Sequence, residues 1–161
     1  MSPSGGPRPR PAPARPDERS DDGRELIELL SLEPHPEGGW FRRTWCAESP
    51  PGERPSGSAI YYLLCRGERS REHRIDATEI WHHYLGDPLE LVIDHWSSGE
   101  RRHVLGPDVQ RGQAPQVVVP PGAWQRAAPL GAFALVGCTV SPAFRYDGFE
   151  LRDDGQEETR P

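Results

Sequence analysis

Apolar positions along the chain fall into short runs: WFRRTWC (40–46), AIYYLLC (59–65), EIWHHYL (79–85), LELVIDHW (89–96), QVVVP (116–120) and FALVGCTV (133–140). Each is rich in aromatic and β-branched residues. The stretches between them, such as PPGERPSGS, GD, SSGE and PPG, favour tight turns. In LELVIDHW, alternation places Leu89, Leu91, Ile93 and His95 on one strand face and Glu90, Val92, Asp94 and Trp96 on the other. Both faces then meet something other than bulk water, as in a closed barrel with a partly polar interior. The pattern predicts an all-β antiparallel sandwich or barrel.

A helical period occurs once, in DDGRELIELLSLEPHPEGG. Asp22 with Glu25 forms a capping-box signature, Leu26, Leu29 and Leu30 share a face, and Pro34 stops the helix. One short N-terminal helix therefore precedes the strands.

Composition divides the chain further. Residues 1–20 are rich in Pro and Arg and lack aromatic or aliphatic anchors, so they read as a disordered tail. Residues 153–161, DDGQEETRP, read as a second, acidic tail, and 24–152 as one domain. The net charge is −6, and outside the first 20 residues it is −8, which disfavours nucleic acid as a partner. No apolar run approaches the roughly 20 residues of a membrane span, and the N-terminus lacks the apolar stretch of a secretory signal. The expectation is a cytoplasmic protein. Cys46, Cys65 and Cys138 are widely spaced within strand-like runs, show no zinc-ribbon pattern, and read as buried free thiols.

The candidate chemistry concentrates in GERSREHRIDATEIWHHYLG (67–86). Side chains two apart on a strand reach the same side, so His73 and Ile75 form a pair, whereas His82 and His83 point to opposite faces unless a bulge intervenes. If Glu79 faces inward, parity brings Trp81 and His83 with it and turns His82 out. The spacing Gly67, His73, Ile75, Glu79, Gly86 resembles the first motif of the cupin superfamily, with Ile75 where that motif has its second histidine. Pro120, Pro121 and Gly122 followed by Gln125 resemble the second motif, with an amide in place of its metal-binding histidine.

The wider set HPEGGWF (35–41), SAIYYLL (58–64), EIWHHYLGDPLEL (79–91), PPGAWQ (120–125) and LVGCTVSPAFRYDGFEL (135–151) is similar to the cupin subfamily catalogued as DUF985 or Cupin_5. The resemblance implies a double-stranded β-helix, the cupin jelly-roll barrel, over residues 24–152, paired into a homodimer. It places His73 and Glu79 at pocket positions. It also puts His82 in the pocket, against strand parity, and both readings of His82 stand at this point.

Tyr62, Trp81, Trp124, Gln125 and Tyr146 are candidate substrate-binding residues, and Gly38 and Gly39 form a turn at the barrel entry that Glu37 anchors. Three functions follow. The first is an isomerase, epimerase or lyase acting on a polar metabolite such as a sugar or carbonyl compound: His73 or His82 is the general base, Glu79 orients it, and Gln125 or a tyrosine stabilises an enolate oxygen. The second is a divalent metal (Mn, Fe, Ni or Zn) on His73, Glu79 and Gln125, supporting oxygenase or hydrolytic chemistry, although an amide is a weak ligand for such ions and a pocket without metal fits equally. The third is a non-catalytic pocket that binds a small molecule.

Overall fold

The computed structural model describes residues 22–152. Both tails expected from composition lie outside them. The strands are β1 (Glu33–Pro34), β2 (Trp40–Cys46), β3 (Ser58–Cys65), β4 (Ser70–Ile75), β5 (Thr78–Gly86), β6 (Leu89–His95), β7 (Gly99–Leu105), β8 (Gln116–Val119), β9 (Trp124–Pro129), β10 (Phe133–Ser141) and β11 (Phe149–Leu151). They form two antiparallel sheets, in the orders β1-β2-β3-β10-β5-β8 and β11-β4-β9-β6-β7. These sheets close face to face into the expected β-barrel. Every apolar run read from the sequence lies largely within a strand. Four further strands, β1, β4, β7 and β11, fall in segments that showed no run, and β9 starts at Trp124 just beyond the PPG turn.

The inward faces pack as alternation requires. Tyr62, Leu64, Trp81, Leu89, Leu91, Ile93, Val136 and Cys138 belong to one buried cluster between the sheets. On β6, Leu89, Leu91 and Ile93 face inward, while Glu90 meets Arg102 on the outside at 3.2 Å. The outer face of the second sheet is a charged ladder, in which Arg126 bridges Glu72 and Glu100 at 2.9 Å each and Arg152 reaches Glu72 at 2.9 Å.

The helix α1 (Glu25–Leu29) is shorter than two turns, and this corrects its predicted cap and face. Its N-cap is Arg24, whose backbone N–H donates to Asp22 Oδ1 at 3.1 Å, and no side chain caps it in the box expected from Asp22 and Glu25. Leu26, Ile27 and Leu30 pack against Leu63, Cys65 and Leu135, whereas Leu29 is exposed. Among the described residues no helix is long and apolar enough to cross a membrane. Cys65 and Cys138 are buried free thiols, but Cys46, near the end of the β2 edge of its sheet, is exposed.

Candidate functional site

A cavity of about 290 Å³ opens at the end of the barrel where β3 begins and β10 ends. Its polar lining includes His35, Glu37, His73, Glu79 and Arg43, and its apolar walls include Phe41, Ile60, Ile75, Val140 and Phe144. The elements deliver these groups by parity. β4 turns His73 and Ile75 inward together, and β5 turns Glu79 and Trp81 inward. On β2, Phe41 and Arg43 face the cavity alongside Ile60 of β3.

His35 and Glu37 come from the turn between β1 and β2. Gly38 (φ 111°) and Gly39 (φ 70°) take backbone conformations open mainly to glycine. The turn closes through His35 N–H to the Gly39 carbonyl at 2.9 Å and Gly38 N–H to the His35 carbonyl at 3.0 Å. The Glu37 carbonyl then accepts from Arg71 N–H at 2.7 Å, which ties the turn to β4. Tyr62 supports it from below, its hydroxyl donating to the Gly38 carbonyl at 2.6 Å.

This turn sets Glu37 against His73. Glu37 Oε2 lies 3.1 Å from His73 Nε2, and Ser70 Oγ donates to Glu37 Oε1 at 2.9 Å. On the other side of the ring, His73 Nδ1 is 2.7 Å from the Arg71 carbonyl. A carbonyl only accepts, so Nδ1 carries a proton, and one further proton is shared between Nε2 and Glu37. Both side chains are almost wholly buried, at 3% and 8% exposure, so their contact is screened from bulk water.

Glu79 is held differently. Trp81 Nε1 donates to Gln125 Oε1 at 2.9 Å, and Gln125 Nε2 donates to Glu79 Oε2 at 2.6 Å. Burial pushes the Glu79 carboxyl above the usual carboxylate range, although nearby His73 pulls it back. Beside it, burial and the Glu79 carboxylate push the Cys138 thiol up, which makes it a poor nucleophile. The cavity wall thus carries an ionisable His–Glu pair next to a carboxyl group that resists ionisation.

Residues 24–152 match the model of the family Cupin_5, described as Cupin superfamily (DUF985). The chain belongs to this cupin family. Among solved structures, this cupin is similar to a protein from Shewanella oneidensis, with 36% identity, a TM-score of 0.77, and coverage of 82% of this chain and 85% of that one. It is also similar to a hypothetical protein from Leishmania major, at 30% identity and a TM-score of 0.76, covering 83% of this chain and 89% of that one. An oxalate decarboxylase variant from Bacillus subtilis shares the fold at 12% identity and a TM-score of 0.58, with 76% of this chain covering 31% of that one. No curated protein matches this cupin.

Several sequence-derived site residues sit elsewhere than expected. His73, Glu79 and Tyr146 line the cavity. Gln125 is wholly buried behind Glu79, and Tyr62 and Trp81 are core residues that pack edge to face with ring centres 5.8 Å apart. His82 lies on the outer face of β5: it pairs in register with Gly137, its Nε2 is 3.3 Å from Thr139 Oγ1, and its ring stacks on Tyr84. Strand parity therefore prevails for His82, because the β10–β5 register stays regular through that pair and shifts only beyond it. His83 donates from Nε2 to the Asp87 carbonyl oxygen at 3.0 Å, at the far end of β5.

Trp124 is also outside the pocket. Alternation on β9 that sends Gln125 inward turns Trp124 out, where Arg74 and Arg152 cover its two rings' surface at 4.5 and 4.3 Å. The orienting partner of His73 is Glu37 rather than Glu79.

The donor set does not fit the metal proposed on His73, Glu79 and Gln125. Both ends of the Gln125 amide are engaged within the protein, and its NH₂ group, which cannot ligate a cation, is the end that faces Glu79. Ile75 occupies the adjoining ligand position with an alkyl group. Among the described residues no cluster of three or more His, Cys, Asp or Glu is arranged to hold a metal ion.

Proposed function

We propose that this cupin is a small-molecule enzyme that moves a proton on a polar carbonyl metabolite, such as a sugar derivative, in an isomerase, epimerase or lyase reaction. The observation that carries this reading is the His73–Glu37 contact of 3.1 Å, with Nδ1 tied to Arg71, on the wall of a cavity that also holds Glu79. A buried His–Glu contact facing a carboxyl group that burial shifts upward suits paired base and acid roles.

In this scheme the shared proton sits on His73 Nε2, and the Glu37 carboxylate of the pair takes a proton from the carbon next to the substrate carbonyl. The C–H bond breaks and its electron pair passes into the carbonyl as an enolate. Glu79 delivers its own proton to carbon, and the extra proton on the pair returns to Glu79 through solvent, which restores the enzyme. Arg43 lines the cavity and anchors an anionic substituent of the substrate. The working form is a homodimer, built through the edge strand β8.

Incubating the protein in D₂O with a panel of sugar derivatives and keto or hydroxy acids, and reading deuterium at carbon by NMR, tests this. The expected result is exchange in at least one compound, slowed roughly 100-fold in His73→Asn and Glu37→Gln. Exchange undiminished in both variants would overturn the assignment. Melting-temperature shifts without any exchange would replace it with a ligand-binding role.

A further inference from the structure

His35 stands apart from the proton-transfer machinery described above. Its side chain is 8% exposed, lines the cavity, and comes from the same turn as Glu37. The Glu37 backbone N–H donates to His35 Nδ1 at 3.2 Å, so Nδ1 presents its lone pair. The Glu37 carboxylate lies farther off, 3.7 Å from the same nitrogen, beyond hydrogen-bond reach. A neutral ring with an acceptor at Nδ1 carries its proton on Nε2.

That Nε2–H has no partner among the described residues. Nor is it among the buried side-chain polar atoms sealed from solvent without a partner. With Nδ1 turned to the chain, the Nε2 edge of the ring meets the cavity. The groups around His35 favour the neutral form. Phe41 of β2, Tyr62 of β3 and Phe149 of β11 surround the ring at 4.6, 5.6 and 6.5 Å. Burial lowers the imidazole from its usual range; Glu37 opposes this, and His73 on β4 reinforces it.

We infer that His35 is a further catalytic residue, a neutral imidazole whose Nε2–H donates to the substrate carbonyl oxygen and holds the negative charge that develops there. This rests on the proton-transfer reading and adds its missing part, a donor aimed at oxygen rather than carbon. A neutral donor suits that task, because it stabilises the enolate without itself giving up a proton. The substrate class narrows accordingly to compounds whose reacting carbon adjoins a carbonyl group.

The test uses the full-length protein and 4-nitrophenolate as a stable enolate mimic. Nitrogen NMR of ¹⁵N-histidine-labelled wild type should show His35 as the neutral Nε2–H form across neutral pH, and its Nε2–H proton should move downfield when 4-nitrophenolate binds. His35→Phe should weaken that binding at least roughly tenfold, and His35→Gln, which keeps an N–H donor, should restore most of it. In the deuterium-exchange assay, His35→Phe should lower kcat roughly 100-fold with little change in KM. An Nδ1–H form, no binding of 4-nitrophenolate to wild type, or equal binding by wild type and His35→Phe would each overturn the inference. The wild-type NMR measurement decides the matter even if His35→Phe fails to fold. If His73→Asn and Glu37→Gln both exchange normally while the His35 results hold, the proton-transfer reading fails and the oxyanion site stands; the reverse pattern removes only the role of His35.

Discussion

Burial governs Glu79 more than any neighbour does. Its carboxyl faces the interior, accepts one hydrogen bond from Gln125, and is shifted upward chiefly by desolvation. A carboxyl whose proton is held more tightly in the folded state than in the unfolded one contributes its full stability below the unfolded pKa. That contribution is lost as pH rises through the folded value. Glu79→Gln keeps an acceptor for Gln125 and has no charge to bury. The variant is expected to melt about 3 °C above wild type at pH 8, with the gap closing as pH falls to about 4. Thermal unfolding at both pH values checks this, and a gap independent of pH would remove desolvation as the cause. The same variant should lose proton exchange, which separates the stability of the site from its chemistry.

At the scale of elements, the β1–β2 turn does most to build the site, since it delivers both His35 and Glu37. A Cβ added at Gly39 would stand 2.7 Å from the Leu63 carbonyl oxygen and 2.6 Å from Leu64 Cδ2, at a φ of +70°. Gly39→Ala is therefore expected to cost about 2 kcal/mol or more in urea unfolding and to abolish exchange. Gly52→Ala is the control: its φ is +84° but its Cβ would meet nothing within 4 Å, so only the backbone strain of about 1 kcal/mol remains. Equal costs for the two would show that the close approach to β3 does not matter.

The strands that the apolar pattern misses are instructive at this scale. β4 reads SREHRI because its inward positions are Ser70, His73 and Ile75, while Glu72 and Arg74 serve the outer charged ladder. β9 reads WQRAAP with Gln125 and Ala127 inside. Polar groups on the inside and ion pairs on the outside erase the alternation by which strands are recognised. β4 brings His73 and Ile75 to the cavity and β9 holds Glu79 from behind through Gln125, so the signal weakens where polar side chains turn inward.

For the whole molecule, β8 ends its sheet, bonded to β5 on one side only. Val118, Leu85 and Tyr84 are exposed near this edge. An unprotected edge beside apolar side chains favours pairing with a second copy. Light scattering is expected to give the mass of a dimer, and Val118→Arg to shift it to the monomer without loss of fold by circular dichroism. A monomeric wild type would refute the homodimer.

By itself, the sequence determined the strands with apolar inner faces, the β-barrel class, and the inward pair His73 and Ile75, because two-residue alternation and turn chemistry act locally. Its motif spacing also carried the cupin resemblance and Glu79. Tertiary structure decided the rest. Whether His82 faces in or out depends on where the β10–β5 register shifts, and that shift lies in the pairing of two strands. Trp124 left the pocket because Gln125 of the same strand entered it. Above all, the partner of His73 proved to be Glu37, with His35 beside it, since closure of the barrel brings the β1–β2 turn against β4. Contacts of that kind arise from sheet closure between distant segments, and local pattern does not encode them.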